Sequence, residues 1–492
     1  MWGAMTNLGI TNLLELPPFY ALGQGPGLRC MQPVKYNADC SPAPQEGFKM
    51  LRVSVVGLAI AAAAVAATGT GSPTFNKDVL PILQKNCQGC HRPGEVAPMS
   101  LVSYKDTRPW AKAIKVAVAS KKMPPWFAEY GHFANDRTLS PADVNTLVSW
   151  ANDGAPEGDA KDAPPPMTFP DGWQIKPDMV IEMPKPFHVK ATGTINYQNI
   201  KVHVNFPQDM WVVAAEMRAG NPKVVHHMRA IVTPPGATWM GKAEYGVAYE
   251  EGSEAMTGAK EGTDLLGKYN PGLGAQHFDV DASAKFVPKG SDIVFNIHYT
   301  AVGTEQDDLS KVGLVFAKNP PKRRYWMSPG TPAAFNLVLP PGAENQEVVS
   351  EVTVGVDHAE LVYVQPHMHL RGKDYELRAI YPTGETQEIF KGQWNFDWQV
   401  GYELEKPLQM PKGTRLVAIA HYDNSLNNKY NPDATKEVHW GDQNWDEMQS
   451  GFLGLVVDTN TNLSKIFIPS GPSLLPRGKS GPTLASALGL TK

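Results

Sequence analysis

Cysteine is scarce. The chain of 492 residues holds four, at positions 30, 40, 87 and 90, too few to staple a protein of this size, so apolar cores must hold it and any paired thiols are free for other chemistry. Excess charge of one sign is missing too. Forty-five Lys and Arg against 49 Asp and Glu leave a net charge of −4, with no concentrated basic stretch. That argues against a nucleic-acid partner held through its phosphates. No apolar run is long enough to cross about 30 Å of hydrocarbon comfortably, so no stable membrane span is expected. Glycine and proline, at 44 and 43 residues, are plentiful. They indicate a folded, loop-rich chain leaning towards β structure, long enough for about three domains.

The longest apolar run, Val53 to Ala67, follows Met50-Leu51-Arg52 and contains Ala64-Val65-Ala66. A positive start, a short apolar middle and a small-x-small end describe a signal peptide over 50–67, and hence a periplasmic or otherwise exported bacterial protein. Residues 1–49 then read as sequence upstream of the true start and carry Cys30 and Cys40 with them.

Cys87-Gln88-Gly89-Cys90-His91 is the C-x-x-C-H pattern in which two thiols bond covalently to haem and the histidine becomes an axial iron ligand. A zinc half-site would want a second Cys or His pair nearby, and a redox dithiol would want a βαβ setting. Neither is visible. Helical spacing over Phe75–Lys85, Trp110–Ser120 and Ser140–Asn152, the last with Ser140 as cap and Pro141 at its first position, predicts a compact all-α cytochrome c-like domain over 72–157. Met123, presented from the stiff Lys121-Lys122-Met123-Pro124-Pro125-Trp126 segment, is the expected sixth iron ligand, with Met99 as its rival.

A Pro-rich linker is expected over 158–184, around Pro164-Pro165-Pro166. Beyond it, short runs such as Val202–Phe206, Trp211–Glu216, Val224–Val232, Ile293–Thr300, Leu361–Val364 and Leu416–Tyr422 predict antiparallel, jelly-roll-like sandwiches over 185–322 and 323–470, then a tail. Phe286 to Tyr299 and Met410 to Tyr422 share a Pro-Lys-Gly turn, a strand and a terminal His-Tyr, which points to duplication.

Each half also carries histidines. His367 and His369, two apart on a strand, share a face and converge on one ion. Adjacent His226 and His227 would diverge on a regular strand and need a kink to share one metal, with His298 as a third ligand. Imidazole suits copper and zinc, and a thioether, for which Met448 is the candidate, tilts the choice towards Cu(I).

His226-His227-Met228, Ile297-His298-Tyr299, His367-Met368-His369 and Asp446-Glu447-Met448 occur in an order that resembles the copper type II, ascorbate-dependent monooxygenases, which include peptidylglycine α-hydroxylating monooxygenase and dopamine β-monooxygenase. The resemblance covers roughly residues 185–460. It implies two sandwiches facing across a solvent-filled cleft. It also implies an electron-transfer copper on His226, His227 and His298, and an oxygen-activating copper on His367, His369 and Met448. The activity it implies is hydroxylation of a C–H bond of a small organic substrate with O2, using two copper ions. One haem c would pass on electrons from an external redox protein or small reductant.

Peptide-amidating members have an arginine where Gln365 stands, and an asparagine and a tyrosine where Ser450 and Phe452 stand, so peptide amidation is unsupported. His421, equivalent to His298 in the repeat, is a further candidate ligand or supporting residue. Trp394, Phe396, Trp398 and Tyr402 are candidates for an apolar substrate pocket or for core. A haem and copper carrier without oxygen chemistry is the competing class. A copper and haem reductase would usually want a Cys-ligated copper, and no cysteine follows Cys90.

Overall fold

The computed structural model describes residues 71–95, 97–169, 172–204, 206–250, 263–328 and 330–469. The signal-peptide and upstream assignments, Cys30, Cys40 and the tail lie outside the described residues. Among the described residues no helix is long and apolar enough to cross a membrane.

A π-type turn, Phe75–Val79, runs into α1 (Leu80–Asn86), followed by α2 (Tyr104–Thr107), α3 (Ala111–Ala119) and α4 (Pro141–Asn152). At the start of α4 the Ser140 hydroxyl accepts the Asp143 amide at 3.1 Å, and Pro141 falls where its missing N–H is not needed. Phe75, Leu83, Leu147 and Trp150 form the buried centre of this helical segment.

The segment is not all-α, as its sequence suggests. α3 closes at Ala119, where Lys121 turns to φ 55°, and residues 126–137 cross to the second sandwich, where Ala128–Tyr130 pairs with Thr386–Gln393. Trp126 and Phe133 anchor the crossing, with ring centroids 4.9 and 5.2 Å from that of Tyr402. Tyr402 is therefore core and not pocket lining.

The rest is β structure. In the first sandwich, Lys311–Phe316, Met210–Arg218 and Ser283–Val287 are neighbours in one sheet; Gln198–His203, Asp292–Tyr299, Val225–Thr233 and Asp264–Tyr269 follow one another in the other. The second sandwich repeats this order strand for strand. Gln449–Asp458, Ala359–Met368 and Tyr402–Met410 match the first set, and Gln346–Val354, Arg415–Tyr422, Gly372–Ile380 and Thr386–Gln393 match the second. The shared Pro-Lys-Gly turns place Gly290 and Gly413 at φ 71° and 91°, where a side chain would be strained. The first sandwich starts inside the expected linker, because Met179–Glu182 pairs with Lys311–Phe316.

The sandwiches are joined. Ser283 and Ala284 pair in parallel with Arg323 and Arg324, fusing one sheet from each into a nine-stranded sheet. Along Arg323–Met327, Tyr325 and Met327 enter the first core while Trp326 enters the second, as strand alternation requires. At this junction Lys285 and Asp264 form a buried ion pair at 3.1 Å, with Arg324 at 3.7 Å from the same carboxylate.

Candidate metal centres

The strand Val225–Thr233 explains how adjacent histidines serve one site. His298 pairs with His227, but the next residue, Tyr299, pairs with Val225, so His226 is the extra residue of a β-bulge. A bulge re-aims the inserted side chain, and the three rings come together. Centroids are 5.1 Å apart for His226 and His227, 5.1 Å for His227 and His298, and 5.7 Å for His226 and His298. A metal ~2.0 Å from a ring nitrogen lies about 3.2 Å from the centroid, so two imidazoles at a tetrahedral angle hold centroids about 5.2 Å apart. The trio stands at that spacing.

Each ring of the trio has one buried nitrogen without a hydrogen-bond partner among the described residues: His226 Nε2, His227 Nδ1 and His298 Nδ1. Leaving a buried polar atom unpaired costs ~1–3 kcal/mol, and three such atoms lie in this one cluster. The other nitrogen of His227 is engaged, with the Tyr197 hydroxyl 2.9 Å from Nε2. Tyr197 also stacks on His298 at 4.7 Å, and Phe396 stacks on His226 at 5.7 Å. Burial lowers the pKa of His226 to about 4 and of His298 to about 3, and holds His227 well below its ordinary value. All three are neutral near pH 7, as metal ligands must be.

His367 and His369 lie on one face at the end of Ala359–Met368, with centroids 5.3 Å apart. Met368 pairs with Gln449, so the next position across from His369 is Met448, which is 9% exposed. Sequence reasoning missed the groups that hold this set. The Gln399 amide oxygen accepts from His367 Nδ1 at 2.9 Å, which leaves Nε2 with its lone pair. His369 Nδ1 is buried and without a partner among the described residues. The Glu447 carboxylate accepts the amides of His369, Arg371 and Met448, and burial pushes its pKa up to about 7 against those bonds. Trp394 Nε1 donates to the His369 carbonyl at 2.9 Å. Trp394, Phe396 and Gln399 therefore belong to one loop between Thr386–Gln393 and Tyr402–Met410 that touches both sets. Burial brings His367 to about 4 and His369 well below its ordinary value.

The two sets share one seam. One loop reaches both: Phe396 stacks on His226, and Trp394 bonds to the His369 carbonyl. Arg229, Lys268, Gln365 and Phe452 are buried in the seam; Lys268 bonds to Gln365 and lies 4.9 Å over the Phe452 ring. Among the described residues no group of three or more His, Cys, Asp or Glu meets the geometry of a ready-made metal site.

His421 does not join either set. It pairs with Asp374, and the bulge beside it skips Lys373, so Lys373, Asp374 and His421 occupy the places of His226, His227 and His298. His421 Nδ1 is 2.7 Å from Asp374 and Nε2 is 3.8 Å from Glu347. The second sandwich thus keeps the bulge of the first and has an ion pair where the imidazole trio stood.

The C-x-x-C-H segment folds as one turn, with the amides of Cys90 and His91 donating to the Cys87 carbonyl at 3.1 and 2.9 Å. Both thiols are free. Burial raises Cys87 to about 12 and also raises Cys90, the opposite of what a reactive dithiol needs. His91 Nδ1 lies 3.3 Å from the Met99 carbonyl, which orients Nε2 as the free lone pair. These features fit covalent haem. Met123 is half-buried in the turn after α3, where its amide bonds to the Ala117 carbonyl at 3.2 Å.

A scan of protein-family models finds no match, and a search of curated proteins finds none. Among solved structures, the major capsid protein P2 of bacteriophage PM2 aligns at TM-score 0.27 and 8% identity over 58% of this chain and 99% of that one. The glycosylasparaginase PNGase F of Flavobacterium meningosepticum aligns at TM-score 0.22 and 10% identity over 56% and 97%. Likeness at these scores carries no argument about fold or function.

Proposed function

We infer that the chain is an exported copper-dependent monooxygenase. It hydroxylates a C–H bond of a small organic substrate with O2, and a covalently attached haem c relays electrons from an external donor. The observation that carries this is the meeting, at one seam, of two unlike ligand sets: three buried imidazoles with unpaired nitrogens, and two imidazoles beside a methionine. The harder set suits a copper that only passes electrons, and the softer, less complete one suits a copper that keeps a position open for O2. Copper, when bound, supplies the one-electron chemistry with O2.

The chain's own residues prepare the sites. Tyr197 fixes the His227 ring, and Gln399 fixes the His367 ring with Nε2 turned free. Glu447, through three backbone amides, ties the end of Ala359–Met368, which carries His369, to the start of Gln449–Asp458, which Met448 precedes. Phe396 backs the His226 ring and Trp394 holds the His369 carbonyl. In the helical segment, Cys87, Cys90 and His91, the last oriented by the Met99 carbonyl, would hold a haem, with Met123 as the candidate second iron ligand.

Copper and haem content of periplasmically matured protein tests this. Wild type is expected to hold two coppers per haem, with His298→Ala and Met448→Ala each losing one. Absence of tightly bound copper would overturn it. The buried Arg229 and Lys268 beside the two sets favour a second reading, a copper and haem carrier. O2 consumption by copper-loaded, haem-reduced protein, over a panel of small organic substrates, separates the two: a carrier shows no substrate-dependent uptake.

A further inference from the structure

The second set is held in part from the first sandwich. Lys268 pairs with Arg229, which stands two residues beyond His227, and His227 pairs with His298. Strand alternation therefore puts Lys268 on the face that carries both histidines and turns Asn270, two residues further, the same way. Across the seam, Tyr363, Gln365 and His367 alternate onto one face of Ala359–Met368. Buried side chains meet there: Asn270 and Gln399 are each 8% exposed, Lys268 3% and Gln365 2%.

Two lines of hydrogen bonds cross the seam, and both reach Gln399. Asn270 Nδ2 donates to the Gln399 amide oxygen at 3.3 Å, and the same oxygen accepts from His367 Nδ1 at 2.9 Å. Lys268 Nζ donates to the Gln365 amide oxygen, as does the Tyr363 hydroxyl at 3.3 Å. With its oxygen taken by those donors, Gln365 turns its Nε2 to the Gln399 carbonyl, at 2.7 Å. One line thus sets the backbone of Gln399 and the other its side chain.

The side-chain line decides the place of a proton. A glutamine amide has an acceptor end and a donor end, exchanged by a half-turn. With the oxygen towards His367, Nδ1 carries the proton and Nε2 the lone pair, the tautomer that a metal ligand at Nε2 requires. With the nitrogen there, Nδ1 would have to accept and Nε2 would carry the proton. A donor placed against the Gln399 oxygen favours the first orientation, and Asn270 is that donor.

We propose that Asn270, a residue of the first sandwich, is a positioning residue for the second metal set: it holds the Gln399 amide oxygen towards His367 and so fixes the ring with Nε2 free. The metal rests on the function proposed above, whereas the tautomer is a property of the copper-free chain. His367 is then prepared as a ligand only while the two sandwiches are joined.

The test uses the full-length protein in two states. In copper-free protein labelled with 15N-histidine, the His367 signals are identified by their loss in His367→Asn. They are expected to show the Nδ1–H tautomer in wild type and a raised share of Nε2–H in Asn270→Leu. In copper-loaded protein, chelator competition in a His298→Ala background is expected to show Asn270→Leu weakening the second site about fivefold, the loss of one neutral hydrogen bond. First-site affinity, read in a Met448→Ala background, stays unchanged. Gln399→Leu and the Asn270→Leu, Gln399→Leu double variant are expected to match, since Asn270 acts through Gln399. An unchanged tautomer or an unchanged second-site affinity in Asn270→Leu overturns the positioning role while leaving the monooxygenase proposal standing. Losses that add in the double variant overturn the route through Gln399, and equal weakening of both sites overturns the role as a general loosening of the seam. Protein that binds no copper overturns the proposed function, and the tautomer measurement then decides the role of Asn270 by itself.

Discussion

Tyr197→Phe isolates one hydrogen bond in the imidazole trio. The hydroxyl lies 2.9 Å from His227 Nε2, and the ring stacks on His298 at 4.7 Å. Phenylalanine keeps the stack and removes only the oxygen. Both groups are buried, so the variant strands a second nitrogen on His227, and the loss is the cost of an unpaired buried donor, about 1–3 kcal/mol. That corresponds to a weakening of roughly 5- to 150-fold, which overlaps the 10- to 100-fold seen when groups that orient metal-bound histidines are removed. Copper affinity is measured by chelator competition in a Met448→Ala background, so that only the first site reports. An unchanged affinity there would refute the claim that Tyr197 orients a ligand. A loss confined to the second site, in an otherwise wild-type chain, would refute the assignment of His227.

Gln399→Leu is expected to weaken only the second site, by about 10- to 100-fold, because His367 Nδ1 loses its acceptor and the ring its orientation; the same competition assay with His298→Ala as background reads it. Asp264→Asn removes the carboxylate shared by Lys285 and Arg324 and leaves buried cations uncompensated, a loss of up to about 3–5 kcal/mol; a urea midpoint indistinguishable from wild type would show that the junction does not depend on this pair. His421 has its pKa raised by the hydrogen bond to Asp374 and by the charges of Asp374 and Glu347, against burial and Lys373. A raised folded-state pKa means the ion pair stabilises fully below about pH 6.5, the unfolded value, and that contribution is lost as pH rises through the folded value. His421→Asn is therefore expected to lower stability by less than about 1 kcal/mol at pH 5.5, for a partly exposed pair, and hardly at pH 8.5; urea melts at the two pH values read it, and the opposite order would contradict the assignment.

Much of the fold and part of the site were legible in the chain itself. Ser140-Pro141 marked the start of α4 because capping is a local interaction. The Pro-Lys-Gly turns marked the duplication because a positive φ at Gly290 and Gly413 is a local requirement. Alternation placed His367 and His369 on one face for the same reason. What the sequence did not carry are the contacts made across long separations. Tyr197 meets His227, Gln399 meets His367, and the strand Met179–Glu182 leaves its Pro-rich surroundings to pair with Lys311–Phe316, each by a contact for which no local pattern exists. The crossing of residues 126–137 to the second sandwich is of the same kind, decided by where Trp126 and Phe133 can be buried.

The two imidazole sets show where the division falls. Residue type and spacing were enough to pick out His226, His227, His298, His367, His369 and Met448, since donor chemistry is a property of side chains. Whether adjacent His226 and His227 face one point depends on the register of a neighbouring strand, and only the folded sheet, with its bulge opposite His298 and Tyr299, decides it. The same register decides against His421. The repeat makes it the twin of His298, yet the positions across from it are Lys373 and Asp374, so its partner is a carboxylate. The chain alone determined which atoms could bind a metal; which of them meet, and what covers them, came from strand pairing and the burial of the seam, because those depend on residues distant in sequence.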